Sequence, residues 1–421
     1  MGNPRSRGLA GVATALVLVL SACGDSGDTT TTTTETETTT TTTTEATPVS
    51  LLVWTDENRA SVVEAIAPEF TAQTGVEIEV EIVDFGQIKD QVGIAGPAGE
   101  GPDLFVGAHD WTGELAANGL ISPLDLGDKA DDFFDVAIEA FSFEGNLYAV
   151  PAATEAVAMF YNTDLAPEAP ATFEEVIALC EDLDDIDNCV GLPGGGDAAD
   201  AYHNYPFVSA MGGYIFAYDP ASGYDTTDVG LDSEGAIAGV AFLEEQSEAG
   251  IIGSVNYDTA KNMFLSGREP FWITGPWEVG ALNDQTDVNW GVAKLPTIDG
   301  NTPAPMVGAQ GFFLSAFSEN AVVARSFLLD FVATTETQKA LFDADPRNPA
   351  THSVTALLAD DPVTQTFALS AADGNPMPNI PEMGSVWGPL GDNILLVRNG
   401  ESTAEEAMTA AAAAVREAVG G

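Results

Sequence analysis

The chain has 421 residues, 45% of them hydrophobic, and carries 13 Lys and Arg against 65 Asp and Glu, a formal net charge of −52 at pH 7. This length and apolar content suffice for a large buried core in two domains, so the chain is not disordered as a whole. Its negative charge repels the phosphates of nucleic acids, which excludes nucleic-acid binding.

The N-terminal residues predict export. Arg5 and Arg7 precede twelve small and apolar residues, from Leu9 to Leu20, which are too few to span a bilayer. A basic segment, a short apolar segment and small residues before a cleavage point are typical of a secretory signal peptide, here residues 1–22. Cys23 directly follows Leu-Ser-Ala and resembles the bacterial lipobox, which predicts lipidation of its thiol and attachment to the extracellular face of the cell membrane through that lipid alone.

A threonine-rich segment follows. Fifteen of the nineteen residues from Thr29 to Thr47 are Thr, and such a sequence cannot form a core. We interpret residues 23–48 as a tether, and whether its threonines are glycosylated stays open.

The globular part begins as strand, helix, strand. A short apolar run, 50–54, precedes Val62, Ile66 and Phe70 at helical spacing; Gly75 ends that helix, and residues 76–83 then alternate with period two. A further apolar strand, 104–106, follows a helical crossover, which predicts a parallel sheet covered by helices. Strand-like and helical stretches alternate to the C-terminus, over too long a chain for one sheet, so two α/β lobes are expected.

Metal and cofactor chemistry is not expected. His109, His203 and His352 are far apart in sequence and have no partner Cys, so a zinc site lacks its usual ligands. Cys180 and Cys189 flank an acidic loop that does not match the calcium-binding pattern, and in an exported protein we expect them to form a disulfide. No metal and no cofactor are therefore predicted.

Motifs of common enzymes are missing. The sequence has no Gly-x-Ser-x-Gly, no Gly-x-Gly-x-x-Gly after a strand and no GxxxxGK loop. Carboxylate pairs occur by chance in so acidic a chain and do not by themselves indicate a glycosidase.

Aromatic residues and carboxylates lie where the predicted strands end. A sugar presents apolar C–H faces and hydroxyl groups, which flat rings and carboxylate acceptors match. The candidate sugar-binding residues are Asp56, Glu57, Asp110, Trp111, Glu155, Tyr202, Trp277 and Trp387.

At these residues the sequence resembles the maltose/maltodextrin-binding proteins of ABC importers, within the type 1 extracellular solute-binding family. The resemblance covers roughly 50–419 and is carried by short motifs in the family's order. These are Gly101-Pro102-Asp103 with Ala108-His109-Asp110, the segment 149–165, Gly212-Gly213-Tyr214, Gly275-Pro276-Trp277, Leu295-Pro296-Thr297 and Met377-Pro378-Asn379-Ile380-Pro381.

The resemblance implies a two-lobed periplasmic-binding-protein fold of type II, each lobe a sheet flanked by helices, with the ligand cleft between the lobes. Residues 49–154 and 311–358 would form the N-terminal lobe, and 159–305 and 364–421 the C-terminal lobe. Residues 155–158, 306–310 and 359–363 would be the hinge crossovers around which the cleft closes on sugar.

The family's sugar-contacting acids fall on Glu57 (or Asp56, because of a one-residue gap), Asp110, Glu155 and the shorter Asp200; its stacking aromatics fall on Tyr202, Trp277 and Trp387. The chain also departs from the family. Gly107 stands where a Trp is usual, Trp111 where an Arg is usual, and Gly388 and Gly391 replace a Tyr and an Arg. One aromatic platform is lost, and Trp111 is a candidate replacement.

We therefore expect a monomeric receptor, not an enzyme, that captures maltose or a maltodextrin and delivers it to the transmembrane subunits of an ABC permease. Another α-glucoside such as trehalose, or a polyol, is the alternative ligand class. An exported glycoside hydrolase is the remote alternative.

Overall fold

The computed structural model describes residues 49–183, 186, 188–219, 223–284 and 287–420. The predicted signal peptide, the predicted lipidation site Cys23 and the predicted tether lie outside these residues. The described part of the chain belongs to one compact unit, with 49% helix and 21% strand.

In the described part of the chain, strands and helices alternate along most of the sequence. In chain order the strands are β1 Ser50–Thr55, β2 Glu77–Ile82, β3 Leu104–Ala108, β4 Ser142–Phe143, β5 Asn146–Leu147, β6 Ala149–Glu155, β7 Ala158–Asn162, β8 Val190–Gly191, β9 Phe216–Asp219, β10 Gly223–Val229, β11 Phe271–Thr274, β12 Trp290–Ala293, β13 Met306–Leu314, β14 Asn348–Pro349 and β15 Asn375–Pro376. The helices are α1 Glu57–Thr74, α2 Phe85–Ala98, α3 Thr112–Ala117, α4 Asp135–Ala140, α5 Phe173–Asp182, α6 Ala201–Ala210, α7 Glu234–Glu248, α8 Tyr257–Leu265, α9 Val279–Asp284, α10 Ala321–Phe327, α11 Thr335–Ala344, α12 His352–Leu357, α13 Pro362–Asp373, α14 Trp387–Arg398 and α15 Ala404–Val419. Short 3₁₀ turns span His109–Trp111 and Pro276–Glu278.

Local sequence accounts for the ends of these helices. The side chain of Asp56 accepts a hydrogen bond from the backbone N–H of Arg59 at the start of α1, and Gly75 ends that helix with a φ of 74°. Thr172 and Glu175 form a capping box at the start of α5. The start of α1 therefore lies directly after β1, as the sequence predicted.

The larger sheet has the strand order β14-β6-β13-β3-β1-β2, with β15 added beside β13. Its strands β1, β2 and β3 are parallel to one another, whereas β13 is antiparallel to both β3 and β6. The parallel arrangement predicted for the first three strands is confirmed, and the sheet as a whole is mixed because β13 enters it from the opposite end. The carboxyl ends of β1 and β3 still meet at one edge.

The smaller sheet has the order β12-β7-β11-β8, in which β7 is antiparallel to both neighbours. Helices α6, α7, α14 and α15 pack together beside it, and their buried side chains form one hydrophobic cluster. On the other face of this sheet, Phe160 and Trp272 pack against Phe264 and Phe367. Each sheet is thus flanked by helices, and the mixed α/β fold class is confirmed.

Among the described residues, the chain leaves the larger sheet after β6 and enters the smaller one with β7, and it returns between β12 and β13. It leaves again after β14, because Phe367 of α13 packs on the smaller sheet, and β15 then pairs with β13. The boundaries of the hinge segments stay predictions.

Alternation along β1 explains how the larger sheet is covered. Leu51 and Val53 belong to one hydrophobic cluster, while Leu52 and Trp54 pack in another. Successive side chains of a strand point to opposite faces, so both faces are buried.

Cys180 and Cys189 form a disulfide with a Cα–Cα distance of 5.7 Å. The acidic loop that it closes is described only in part. Among the described residues, no helix combines the length and the apolar character needed to cross a membrane.

Candidate functional site

A cavity of about 490 Å³ brings together most of the residues that the sequence singled out. Its lining contains Asp56, Asn58, Arg59, Phe85, Ala108, Asp110, Trp111, Glu155, Tyr202, Trp277, Gln310, Arg347, Met377 and Trp387. Seven of the nine predicted sugar-binding residues are in this lining, and Glu57 and Asp200 are not.

A larger cavity, of about 910 Å³, contains none of the predicted sugar-binding residues. It is lined by Tyr214, Tyr218 and Tyr224 near the β9–β10 hairpin and by residues of β13 and the segment after β15. Along β13, Met306 and Val307 line this larger cavity, whereas Gln310 lines the smaller one. We take the smaller cavity as the candidate site because the predicted acids and rings converge there.

Asp56 reaches the cavity because it caps α1 at the end of β1. Its carboxylate accepts hydrogen bonds from the Arg59 backbone and guanidinium. Arg59, which is 2% exposed, also forms an ion pair with Asp345 at 2.9 Å. Asp56 therefore lines the cavity as part of a network of paired charges, because buried charges require partners.

Glu155 is the last residue of β6 and joins the same network from the other side. Its carboxylate accepts hydrogen bonds from Arg347 and from the Gln310 amide, whose Nε2 lies 3.2 and 3.3 Å from the two carboxylate oxygens. Arg347 also pairs through Nε with Asp345 at 2.7 Å. Three carboxylates and two guanidinium groups thus form one continuous chain of contacts along the cavity.

Asp110 lies in the 3₁₀ turn that follows β3. Burial raises the pKa of its carboxyl, although His109, Lys89 and a hydrogen bond from Trp387 act to lower it. The Trp387 indole donates to Asp110 Oδ2 at 3.1 Å. Asp110 is therefore held in place by a neutral donor, and no arginine of the described chain forms an ion pair with it.

His109, beside Asp110, has a structural role. The backbone N–H of Ala309 donates to Nδ1 at 2.9 Å, so Nε2 carries the hydrogen that it donates to the Met377 carbonyl at 3.0 Å. Burial lowers the pKa of this imidazole, which keeps it neutral. His109 thus ties the turn after β3 to β13 and to the segment after β15.

Trp277 lies in the 3₁₀ turn Pro276–Glu278 that follows β11. Its indole folds back over Gly275 so closely that a Cβ at position 275 would overlap the ring. The indole N–H donates to the Tyr257 hydroxyl at 2.6 Å, and that hydroxyl donates to Glu278, which is paired with Lys261 at 2.9 Å. The N–H edge of the Trp277 indole is therefore held by its hydrogen bond to Tyr257.

Tyr202 and Trp387 complete the aromatic side. Tyr202 lies in the first turn of α6, 6.1 Å between ring centroids from Trp277, and its hydroxyl donates to the Met306 carbonyl at 3.2 Å. Burial raises the pKa of Tyr202 well above its usual value, so the phenol stays protonated. Trp387 is the first residue of α14.

Trp111 occupies the space that a side chain at position 107 would need. A Cβ on Gly107 would lie 2.7 Å from the Trp111 ring and 2.9 Å from Phe313. Trp111 also packs on Phe85 with centroids 5.2 Å apart. The two departures from the family pattern are thus coupled, because the ring of residue 111 fills the space beside position 107.

The remaining two predicted residues lie elsewhere. Glu57 is exposed in the first turn of α1. Asp200 caps α6, where its carboxylate accepts from the His203 backbone at 2.9 Å and pairs with the His203 ring at 2.7 Å. Burial raises the pKa of Asp200, but the interactions with His203 outweigh it and the net shift is downward. In this geometry Asp200 supports α6.

Sequence reasoning missed four lining residues with clear contacts: Arg59, Phe85, Gln310 and Arg347. A signal existed for the two arginines. With 13 cations in the whole chain, an arginine three residues from Asp56 and another two residues from Asp345 are natural partners for buried acids. Gln310 and Phe85 have no comparable signal, because their positions depend on how β13 and α2 pack.

Metal binding has no support in the part of the chain that the structure describes. Within residues 49–420, apart from the gaps in the described ranges, no group of three or more His, Cys, Asp or Glu side chains is arranged to hold a metal ion.

Comparison with known proteins identifies the family of the chain. Residues 65–371 match the family model described as bacterial extracellular solute-binding protein. The chain is 32% identical to a maltotriose-binding protein of Pyrococcus abyssi over 80% of this chain and 75% of that protein. It is 28% identical to a galactooligosaccharide-binding protein of Bacillus subtilis, over 86% and 87%. It is 27% identical to a maltooligosaccharide ABC transporter solute-binding lipoprotein of Streptococcus pneumoniae, over 99% and 97%.

Proposed function

Since this chain belongs to the bacterial extracellular solute-binding protein family, we propose that it captures malto-oligosaccharides outside the cell and delivers them to the membrane subunits of an ABC importer. The observation that carries the proposal is the convergence of Asp56, Asp110 and Glu155 with Tyr202, Trp277 and Trp387 on one cavity. Its volume of about 490 Å³ suits a small molecule.

The chemistry of the lining supports a neutral, hydroxyl-rich ligand. The acids accept hydroxyl hydrogens, and ring faces stack against the C–H faces of a sugar. Both buried arginines of the lining are already paired with carboxylates, which leaves an anionic ligand without a free counter-charge. Several contacts of about 1–3 kcal/mol each are enough for micromolar affinity.

The passages of the chain between the sheets after β6, between β12 and β13 and after β14 support hinge closure as the mode of action. We assign residues 155–158, 306–310 and 359–363 as the hinge segments, and closure around them would bring Tyr202 and Trp277 onto a sugar already held by the acids. The receptor acts as a monomer and is anchored through a lipid on Cys23. Replacing Cys23 with Ser should release it from the membrane fraction, and retention there would refute the anchor.

A thermal-shift screen tests the ligand. The chain from residue 49 onward is incubated with maltose, maltotriose, trehalose, a galacto-oligosaccharide and a set of polyols. A ligand at 100 times its Kd stabilises the folded state by about 2.7 kcal/mol, so the true class raises the melting temperature and the others do not. A shift with trehalose, a galacto-oligosaccharide or a polyol alone would replace the malto-oligosaccharide assignment.

A receptor of this kind breaks no bond in its ligand. Incubation with maltotriose should return the sugar intact, whereas an exported glycoside hydrolase would release new reducing ends. Time-dependent formation of glucose or maltose would contradict the receptor function.

A further inference from the structure

The register of the larger sheet places Arg347 beside the sugar-facing acid of β6. Strand β14 is antiparallel to β6, with Asn348 opposite Thr154 and Pro349 opposite Ala153. One residue further along this register, Arg347 comes opposite Glu155, and its Nη1 donates to the Glu155 carboxylate. The ion pair is therefore built into the strand pairing.

Arg347 also contacts the aromatic side of the cavity. The carbon of its guanidinium lies 5.3 Å from the centroid of the Trp277 ring, a cation–π contact. Its Nε is fixed by Asp345 at 2.7 Å, and the residue is 8% exposed. One buried side chain thus touches an acid from the larger sheet and a ring that follows β11 of the smaller sheet.

Among the described residues, Arg347 is the charged hydrogen-bonding partner of Glu155. Glu155 is 8% exposed, and apart from Arg347 its hydrogen-bonding partner is the neutral Gln310 amide. A buried carboxylate that loses its counter-ion takes up a proton at higher pH, and a protonated carboxyl is a weaker acceptor for sugar hydroxyls.

We propose that Arg347 is the positioning residue of the sugar site, which holds Glu155 as a charged acceptor and fixes the Trp277 ring beside it, so that acid and ring act as one unit. This inference rests on the proposed sugar-binding function. It goes beyond that function because it assigns a role to a residue that no sequence motif indicated.

The groups around Glu155 determine how this role is tested. The charged and titratable groups that face it or its partners are Arg347, Asp345, His109, Asp110, Tyr202, Arg59 and Asp56. All of them except Arg347 are still present in a variant of Arg347. The difference between the pH profiles of variant and unchanged protein therefore reports on the two carboxyls that Arg347 pairs with, Glu155 and Asp345, and a variant that also lacks the Glu155 carboxyl separates them.

The experiment measures maltotriose affinity by calorimetry at pH 8 and pH 5.5 for the unchanged protein, Arg347→Gln and Arg347→Lys. We expect Arg347→Gln to bind about tenfold more weakly at pH 8 and about a hundredfold more weakly at pH 5.5, because a buried carboxylate without a counter-ion is a poorer acceptor in acid. Arg347→Lys restores the charge without the planar stacking, so a constant loss of about threefold is expected at both pH values.

Two further variants complete the design. Arg416→Gln removes an ion pair with Asp232 outside the cavity lining and should leave affinity unchanged at both pH values. Since removing one partner of a buried pair can prevent folding, Glu155→Gln with Arg347→Gln is measured as well; loss of both charges is better tolerated. This double variant should bind weakly, with the pH dependence of the unchanged protein.

The outcomes separate the two proposals. An equal loss at both pH values in Arg347→Gln, or a pH dependence that persists in the double variant, would overturn the role of Arg347 while sugar binding stands. Failure of the unchanged protein to bind any sugar would overturn the proposed function, and this inference with it.

Discussion

The cavity has two walls of different chemistry, and the difference shows how such a site stays ordered. One wall, from the larger sheet and the start of α1, carries Asp56, Arg59, Asp110, Glu155 and Arg347; we call it the polar wall. The other, from α6, α14 and the turn after β11, carries Tyr202, Trp277 and Trp387; we call it the aromatic wall.

In the polar wall, acids are held by donors from distant parts of the chain. Asp345 joins Arg59 to Arg347, and Arg347 joins Glu155, so each orientation depends on a partner. In the aromatic wall, the polar edges of the rings are used inside the protein: Trp277 donates to Tyr257, and Trp387 to Asp110. In the proposed binding mode, the rings contact the ligand through their faces, and the acids through their remaining lone pairs.

The sharpest test of this comparison removes a ring from the aromatic wall. Trp277→Ala should weaken maltotriose binding by at least about 2 kcal/mol, roughly thirtyfold, because a large stacking surface is lost. Calorimetry measures the change. Trp290→Ala is the matched control, since Trp290 packs on Phe160 outside the cavity lining; equal losses in both variants would remove Trp277 from the site.

A smaller loss of affinity is expected from a substitution in the polar wall, and this substitution should weaken binding without lowering folding stability. Asp110→Asn should weaken binding about tenfold, because a charged acceptor for sugar hydroxyls becomes a neutral one. Since burial raises the pKa of Asp110, its charged form destabilises the folded state above that pKa. The Asn variant should therefore be at least as stable as the unchanged protein at pH 7, and this relative gain should shrink as pH falls.

Urea unfolding at pH 7 and pH 4, together with calorimetry, measures both effects. A variant that is less stable at pH 7 yet binds normally would reverse the assignment and make Asp110 a structural residue.

The smallest effect concerns the support of the aromatic wall. Tyr257→Phe removes the acceptor of the Trp277 indole N–H while keeping the ring. We expect about threefold weaker binding and a shift of tryptophan emission, because the indole N–H must find another acceptor. Tyr218→Phe, in the β9–β10 hairpin, is the control for a lost tyrosine hydroxyl. Unchanged emission and affinity in Tyr257→Phe would show that Gly275 and Arg347 alone fix the ring.

Much of the fold could be predicted because local signals and core pattern agree. The apolar run of β1, the helical spacing of α1 and the cap at Gly75 predicted strand, helix and turn where the structure has them. The antiparallel entry of β13 could not be predicted from its own residues, because strand direction in a sheet depends on the path of the whole chain.

The candidate site could likewise be predicted from the sequence only in part. Asp56, Asp110 and Trp277 follow strands directly, so their place at the sheet edge could be inferred from sequence. Asp200 was predicted from the family resemblance alone, and in the structure a His three residues later pairs with its carboxylate at 2.7 Å. Arg347 reaches Glu155 across 192 residues of sequence, and only the pairing of β14 with β6 reveals that contact.

The close fit of Gly107 and Trp111 restricts the order in which this site can change during evolution or in a mutant library. While the indole is in place, even a methyl group at position 107 overlaps it and also lies too close to Phe313. A larger residue at position 107 therefore requires both a smaller residue at position 111 and a shift of Phe313. Shortening residue 111 first meets no such obstacle. Diversification of the binding surface therefore has a direction, and libraries that vary one of these two positions at a time will miss the combinations that fold.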